Sequence, residues 1–317
     1  MVSRSSNRGR VRNRFHIMVK PGGPICNLDC GYCYYLNKTE LYPGKKKFRM
    51  SEQLLGKFIR SYIASHPGPN VIFPWHGGEP TMLGLDFFRK AVALQQKYLP
   101  SGWKCINVPQ TNGTLLDEEW CEFFIENNFA VGISIDGPAE FHDVHRPDNR
   151  GKPTHDRCMK ALRMLLDFGV PTSVLCTVNG TNVKAPLEVY RFFREQGVTS
   201  IQFLPIVSPI GEGKVSTQSV SSSDYGHFLT AIFEEWLRLD IGKVSVQIIE
   251  ECLAKQRGKA GSLCLYQEKC GDSIAMEHNG DLFACDHFVT SEWKLGNLNE
   301  RSMRSMVESP KMKEFAR

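Results

Sequence analysis

The chain has 317 residues, of which 41% are hydrophobic and 23% charged, which is the balance of an ordinary globular protein with a large core. The net charge of +5 equals the charge of five arginines in residues 1–14, where no acidic residue occurs, so the remainder is close to neutral. We therefore predict a basic disordered tail over residues 1–14 and no nucleic-acid partner, since the rest of the chain carries no basic excess.

The sequence also argues against a membrane partner. No apolar run is long enough to span a bilayer, and residues 1–14 lack the apolar stretch of a signal peptide. Eleven cysteines without such a signal favour a reducing compartment, where thiols serve metal or redox roles rather than disulfides. We therefore expect a cytoplasmic protein.

Short β-branched or aromatic runs alternate with amphipathic segments over residues 15–245. Helix starts are suggested by Ser51 and Asp117 as N-caps, and helix ends by Gly169 and Gly197. This alternation predicts a parallel sheet with right-handed crossovers, either a barrel or an open twisted sheet, which binds ligands at the carboxyl ends of its strands. Strands are predicted at 15–20, 71–75, 105–110, 130–135, 172–178 and 200–205, and helices at 51–65, 85–98, 117–127, 155–168, 186–196 and 224–239.

Three cysteines near the start of the chain, Cys26, Cys30 and Cys33, have the spacing Cys-x3-Cys-x2-Cys. Zinc and redox motifs usually need a fourth ligand or a partner thiol, and no further cysteine or histidine stands close by. A [4Fe–4S] cluster held by three thiolates keeps one iron open for chemistry. The alternatives are a zinc knuckle completed by a distant residue, or three unrelated core thiols.

This loop, with Tyr32 just before the third cysteine, resembles the signature of radical S-adenosylmethionine (SAM) enzymes. The resemblance implies that the open iron chelates the amino and carboxylate groups of SAM. It also implies that an electron from the cluster cleaves SAM to methionine and a 5′-deoxyadenosyl radical. The fold implied for residues 15–245 is an α/β radical SAM core, a partial (β/α)6 barrel, with Tyr32 among the SAM-binding residues.

Further SAM-binding residues are implied at the ends of predicted strands. Gly78 and Glu79 match the methionine-binding motif of the family: the glycine lets the backbone approach closely, and the carboxylate can accept from the SAM ammonium. Ser134 would reach the ribose and carboxylate region, Arg146 would pair with the SAM carboxylate, and Val207 would pack on the adenine side. Without the resemblance, these motifs would be read as turns and a surface salt bridge.

The last part of the chain, residues 246–317, is cysteine-bearing and contains a predicted β-hairpin with Asn279-Gly280 as its tight turn. The spacing of Cys264, Cys270 and Cys285 resembles the start of the SPASM domain, an appended module that holds auxiliary [4Fe–4S] clusters. In that family five more cysteines follow, so we expect a truncated SPASM-like module with incomplete or absent auxiliary clusters. The alternative is a disordered or core set of thiols.

The five remaining cysteines fall in predicted strands, helices or apolar runs, and we expect them to fill the core. They are Cys105, Cys121, Cys158, Cys176 and Cys252.

Residues 15–317 together resemble the anaerobic sulfatase-maturating enzymes, which oxidise an active-site cysteine or serine of a sulfatase to Cα-formylglycine. The resemblance implies that Asp286 is the general base and that Tyr35 and His76 face the substrate; the family often has glutamine where His76 stands. The implied partners are a sulfatase polypeptide and a reducing protein such as flavodoxin or ferredoxin.

Two other functions stay open at the level of sequence. One is a SPASM-type enzyme that crosslinks a ribosomal peptide, and the other is a non-catalytic truncated paralogue that binds a cluster or a peptide. If the missing cysteines are required, the chain as given should bind SAM but mature a sulfatase poorly.

Overall fold

The alternating segments form parallel strands joined by helices in the computed structural model, which describes residues 11, 15–45, 47–211, 214–216, 218–259, 261, 263–271 and 273–317. Apart from Val11, the tail predicted over residues 1–14 lies outside the described residues. The described chain divides into two compact units. The first contains the residues up to Ile25, with Tyr35–Pro109 and Leu263–Arg317; the second contains Cys26–Tyr34 and Gln110–Ser262.

Twelve strands are found in the described residues. In chain order they are β1 (His16–Lys20), β2 (Asn70–Trp75), β3 (Lys104–Thr111), β4 (Val131–Ser134), β5 (Thr172–Val178), β6 (Ser200–Pro205), β7 (Pro209–Gly211), β8 (Lys214–Val215), β9 (Ser245–Val246), β10 (Ser273–Glu277), β11 (Asp281–Phe283) and β12 (Lys294–Asn297).

Ten α-helices accompany these strands in the same residues. They are α1 (Glu52–Ser65), α2 (Leu85–Tyr98), α3 (Glu118–Glu126), α4 (Ala139–His145), α5 (His155–Asp167), α6 (Pro186–Glu195), α7 (Ser222–Leu239), α8 (Gln247–Gln256), α9 (Met303–Val307) and α10 (Pro310–Phe315). All six predicted strands and all six predicted helices are confirmed, with ends shifted by no more than two residues. The predicted stops are confirmed as well, since Gly169 and Gly197 have φ values of 72° and 80°, which favour glycine.

The first unit is built on a mixed sheet with the order β12-β11-β10-β1-β2-β3. Strands β10, β1, β2 and β3 run parallel, whereas β10, β11 and β12 are antiparallel. An aromatic cluster fills the space between this sheet and its helices: the ring of Phe58 in α1 meets Phe73, and Trp75 stacks on Phe73 and meets Phe88 edge-on. Buried aromatic rings of this kind contribute about 3–5 kcal/mol each to stability when compared with alanine.

The second unit contains a parallel sheet with the order β3-β4-β5-β6-β9, to which β3 contributes its last two residues. The buried apolar residues of β5 and β6 alternate with less buried positions, so one face of the sheet is apolar. Ile133, Val174 and Ile201 are fully buried, and so are Leu162 of α5 and Phe193 of α6. The carboxyl ends of β4, β5 and β6 therefore lead into loops on a rigid base.

The predicted hairpin is confirmed: β10 and β11 pair antiparallel, and Gly280 in the turn between them has a φ of 91°. Strand β11 ends at Phe283, so Cys285 and Asp286 lie beyond it. In a continuous strand, the side chains of these two neighbouring residues would point to opposite faces of the sheet. Because β11 ends before them, that rule does not apply here.

The five cysteines expected in the core divide between core and surface. Cys121, Cys158 and Cys176 are buried and Cys105 is half-buried, but Cys252 is exposed on α8, so the expectation was wrong for Cys252. All eleven cysteines are described, and each has a free thiol. None of the described helices is long and apolar enough to cross a membrane.

The start of α3 tests how far local sequence determines stability. The Asp117 side chain accepts a hydrogen bond from the Trp120 amide at 3.1 Å, as an N-cap. We expect Asp117→Ala to lower the free energy of unfolding by about 1 kcal/mol, whereas Asp117→Ser should retain most of it because serine also caps. Urea unfolding followed by circular dichroism measures both; equal midpoints for the two variants would contradict the capping role.

Candidate active site

The three cysteines of the Cys-x3-Cys-x2-Cys loop lie together on one short segment of the second unit. Cys26, Cys30 and Cys33 are half-buried free thiols. The sulfur of Cys26 accepts weak hydrogen bonds from the Leu28 amide at 3.4 Å and from Asn112 Nδ2 at 3.8 Å. Three thiols on one loop, one of them with N–H donors directed at its sulfur, are a donor set that suits an iron–sulfur cluster.

No three Cys, His, Asp or Glu side chains converge as a metal site anywhere in the part of the chain that the structure describes. The assignment of the cluster to the loop therefore depends on the number and spacing of the thiols. Burial raises the pKa of Cys30, while the positive charge of Arg146 acts in the opposite direction. A nearby guanidinium is the kind of group that favours the thiolate needed for metal binding.

Backbone hydrogen bonds hold this loop in place. The Asp29 amide donates to the Pro147 carbonyl at 2.9 Å, and the Gly31 amide donates to the His145 carbonyl at 3.0 Å. Leu28 also forms an isolated antiparallel bridge with Asp148. The loop that carries the thiols is thus fastened to the segment that follows α4.

A buried polar chain links the loop to the end of β4. The Tyr32 hydroxyl donates to Asp136 Oδ2 at 2.5 Å, and Arg146 Nη1 donates to the Tyr32 oxygen at 2.9 Å. Asp136 is fully buried and also accepts from the Thr177 amide at 3.0 Å. Burial raises the pKa of Asp136, and the charge of Arg146 opposes that rise.

Tyr32 and Arg146 were predicted from the sequence, but Asp136 was not, because Asp136-Gly137 is typical of an ordinary turn. The Nε of Arg146 is buried without a hydrogen-bond partner in the described residues. The guanidinium therefore keeps a donor for a further acceptor, which would otherwise be costly to bury unpaired. The signal available in the sequence was an Asp-Gly directly after a buried strand.

The two other predicted residues of this unit differ in their surroundings. Ser134, the last residue of β4, accepts a hydrogen bond from Gln110 Nε2 at 2.9 Å. The side chain of Gln110 passes over Gly132, where a Cβ would lie 2.1 Å from its Oε1. Val207, just after β6, is 62% exposed.

In the first unit, Gly78 and Glu79 form part of a close crossing of two backbone segments. The Gly78 amide donates to the Gly23 carbonyl at 2.8 Å, and the Glu79 amide donates to the Ile25 carbonyl at 2.9 Å. A Cβ on Gly78 would lie 1.9 Å from the Ile25 oxygen, so only glycine fits. The Glu79 carboxylate is buried and accepts from the amide and the hydroxyl of Thr81 at 2.9 and 2.6 Å.

The most highly charged part of the first unit surrounds Lys20 at the end of β1. Lys20 is 1% exposed, and its Nζ lies 2.5 Å from Asp286 Oδ1 and 3.7 Å from the centroid of the Tyr35 ring. The Tyr35 hydroxyl donates to Glu277 Oε1 at 2.5 Å, and Glu277 stands opposite Lys20 in the β1–β10 register. Burial and the Glu277 charge raise the pKa of Tyr35, so its hydroxyl stays protonated.

The structure therefore brings Tyr35 and Asp286 together around a lysine that sequence reasoning missed, because a lysine at the end of an apolar strand carries no motif. Tyr35 is 2% exposed, and its contact with substrate stays a prediction. His76 follows β2, and its amide donates to the Val19 carbonyl at 2.8 Å. Burial lowers the pKa of His76 to about 4, so the imidazole is neutral near pH 7.

The cysteines of the C-terminal region are less enclosed. Cys264 and Cys270 are exposed, and Cys285 is half-buried. Burial raises the pKa of Cys285. Thiols near the surface suit metal ligation, and these three do not converge on a metal site in the residues that the structure describes.

Two family models match the chain. The model of the radical SAM superfamily matches residues 21–193, and the SPASM model, an iron–sulfur cluster-binding domain, matches residues 264–317. These matches, together with the AdoMet-bound structure described below, confirm a [4Fe–4S] cluster and SAM as cofactors.

Curated relatives are similar over almost the whole chain. A serine-type anaerobic sulfatase-maturating enzyme of Bacteroides thetaiotaomicron is 44% identical over 315 residues, which cover 95% of this chain and 76% of the relative. A cysteine-type enzyme of Clostridium perfringens is 32% identical over 302 residues, which cover 94% and 81%.

Solved structures agree with these relatives. A structure of native anSMEcpe with bound AdoMet is 31% identical, has a TM-score of 0.88 and covers 95% of this chain and 83% of that one. The structure of Streptococcus suis SuiB with its precursor peptide, at 13% identity and a TM-score of 0.68, covers 94% and 66% and shows only a shared fold. The chain therefore belongs to the anaerobic sulfatase-maturating enzymes, and it is an oxidoreductase with the α/β radical SAM fold that the sequence predicted.

Proposed function

We propose that this chain oxidises an active-site serine or cysteine of a sulfatase polypeptide to Cα-formylglycine. The observation that carries the proposal is the buried pair of Lys20 and Asp286 in a chain 44% identical to a serine-type maturase. A structure of anSMEcpe with both AdoMet and a peptide, at 31% identity and a TM-score of 0.87, supports a polypeptide substrate. Serine-type relatives share more identity than cysteine-type ones, so a serine peptide is the first substrate to test.

The cofactors would be held by the three thiols of the cysteine loop and by six further residues. Cys26, Cys30 and Cys33 would hold the SAM-cleaving cluster, and when bound these groups supply a 5′-deoxyadenosyl radical that takes a hydrogen atom from the substrate Cβ. The buried Nε of Arg146 supports pairing with the SAM carboxylate, because that donor has no partner in the described residues. The SAM-binding set would be Tyr32, Gly78, Glu79, Ser134, Arg146 and Val207.

An auxiliary cluster would be held by Cys264, Cys270 and Cys285. The match of the SPASM model to residues 264–317 supports this assignment. Oxidation of the substrate to the aldehyde removes one hydrogen atom, one proton and one electron. An auxiliary iron–sulfur cluster could accept that electron.

Asp286 would accept the proton of the substrate hydroxyl or thiol. The carboxylate is 7% exposed, and the Lys20 ammonium at 2.5 Å compensates its charge. The Tyr35 ring covers that ammonium while Glu277 holds the Tyr35 hydroxyl, so three side chains fix the orientation of the base. Tyr35 and the neutral His76 would contact the peptide.

The reducing partner would be a flavodoxin or a ferredoxin, and the protein would work in the cytoplasm. The free state of all eleven cysteines supports a reducing compartment. A peptide-crosslinking enzyme is the alternative that the sequence left open.

The radical SAM core is tested first. The protein is reconstituted anaerobically with iron and sulfide, and SAM and a reductant are added. We expect 5′-deoxyadenosine from the wild-type protein and none from Cys30→Ala, because the variant lacks one of three cluster thiolates. A four-iron cluster that forms without any deoxyadenosine would instead favour the inert paralogue.

The crossing at Gly78 gives a second prediction. Gly78→Ala should weaken SAM binding about tenfold or more, because the added methyl forces the segment of Gly78 and Glu79 away from the segment of Ile25. Gly226→Ala is the matched control, since a Cβ there meets nothing within 4 Å and should leave SAM affinity unchanged. Equilibrium dialysis with labelled SAM measures both, and equal affinities would contradict the requirement for glycine.

The buried pair gives a third prediction. Lys20→Met and Asp286→Asn should still cleave SAM but lose peptide oxidation by about a hundredfold, since each leaves a misplaced or absent base. Lys20→Arg should recover part of the activity because it keeps the charge. Deoxyadenosine and aldehyde are counted in the same reaction, and an unchanged ratio of aldehyde to deoxyadenosine in Lys20→Met would contradict the role of the pair.

Trapping with a hydrazide separates this function from crosslinking. Serine oxidation and crosslink formation both remove two hydrogens from the peptide, but only the aldehyde forms a hydrazone. A peptide that loses two hydrogens and does not react would favour the crosslinking enzyme.

A further inference from the structure

A cavity of about 370 Å³ lies in the first unit beside the start of α1. Its lining includes three basic side chains, Lys45, Arg49 and Lys57. None of the described residues that line it is acidic. The cavity therefore carries a concentrated positive charge in a chain whose body is otherwise close to neutral.

The start of α1 adds to this positive potential. Ser51 caps the helix by accepting from the Leu54 amide at 3.2 Å, and its side chain also lines the cavity. A helix of 14 residues presents partial positive charge at this end. Glu52, the nearest acidic residue of the helix, is engaged by Lys90 in an ion pair outside the lining.

A buried imidazole at the cavity is an independent sign of a ligand. His278 is 2% exposed, and its ring is held edge-on by Tyr42 and Phe48 at centroid distances of 5.0 and 5.1 Å. Neither ring nitrogen has a hydrogen-bond partner in the described residues. Leaving a buried polar atom unpaired costs about 1–3 kcal/mol, which a bound acceptor would relieve.

The two nitrogens of His278 have different surroundings. Nδ1 lies 3.6 Å from Glu277 Oε2, which is too long for a hydrogen bond, and a Cβ on Gly23 would lie 3.1 Å from the same nitrogen. His278 lines the cavity and its Nε2 has no hydrogen-bond partner in the described residues, so Nε2 is the nitrogen that we assign to a bound group.

We propose that this cavity binds a phosphate group, either as the free anion or as the end of a phosphate monoester. Lys45, Arg49 and Lys57 supply charge, the start of α1 supplies backbone N–H donors, and His278 Nε2 supplies a directed contact from the protein interior. The volume is at the lower end of the range that holds small organic ligands, which leaves room for more than the phosphate itself. None of the residues assigned to SAM, cluster or peptide lines the cavity.

The test uses the whole chain and inorganic phosphate, titrated calorimetrically at constant ionic strength, with phenyl phosphate as a second ligand and acetate as the control anion. We expect saturable binding of one phosphate and no comparable binding of acetate. Tighter binding of phenyl phosphate would identify the monoester as the preferred form, and equal binding would identify the free anion.

Single substitutions then locate the site. Lys57→Gln and His278→Gln should each weaken phosphate binding by about fivefold or more. Arg60→Gln is the matched control, because Arg60 is an exposed cation on the same helix and does not line the cavity. Arg49→Gln tests the same cavity if the His278 variant does not fold.

Two outcomes would overturn the proposal: no saturable phosphate binding, or a loss in Arg60→Gln equal to that in Lys57→Gln, which would mean attraction to the overall charge. The titration needs neither cofactor nor turnover, so its result is independent of sulfatase maturation.

Discussion

The candidate chemistry depends on one buried ion pair. Transferring a lysine and an aspartate out of water costs several kcal/mol per ion, and this cost is recovered only when the charges meet in good geometry. Lys20 and Asp286 meet at 2.5 Å, with the face of Tyr35 against the ammonium. Because Lys20 belongs to a central strand, the proposed base takes its position from the rigid sheet rather than from the turn in which it lies.

The thiol loop of the second unit is also positioned by polar contacts to a rigid sheet, although the loop itself contains no strand. Its Tyr32 is tied to Asp136, which lies at the end of β4 and is held in turn by a backbone amide of β5. A short loop with many polar groups would be a poor place to fix a large cofactor. Because backbone hydrogen bonds and the Tyr32 hydroxyl hold this loop in place, the loop can present its three thiols in a reproducible arrangement.

Much of the fold could be predicted because long amphipathic helices and buried strands each have a period that reads directly from the sequence. The short elements α4, α9 and α10 span too few turns to show one. Lys20 in the first unit and Asp136 in the second belong to no sequence motif. Their roles are visible only once the fold places their partners, Asp286 and Tyr32, beside them. The three cysteines of the loop lie within eight residues of one another, so their spacing can be recognised from the sequence alone. The boundary at residues 245 and 246 remains a prediction.

The register of β1 with β10 has a consequence for biosynthesis. His16 pairs with Ser273 and Lys20 with Glu277, so the first strand made finds this neighbour only after more than 250 further residues have been added. Most of the second unit is the continuous stretch Gln110–Ser262, which can collapse on the ribosome as soon as it has emerged. The first unit cannot complete its sheet until Leu263–Arg317 has been synthesised. Such long sequence separations slow folding, and until closure the edge of β1 that β10 will cover stays open to chaperones.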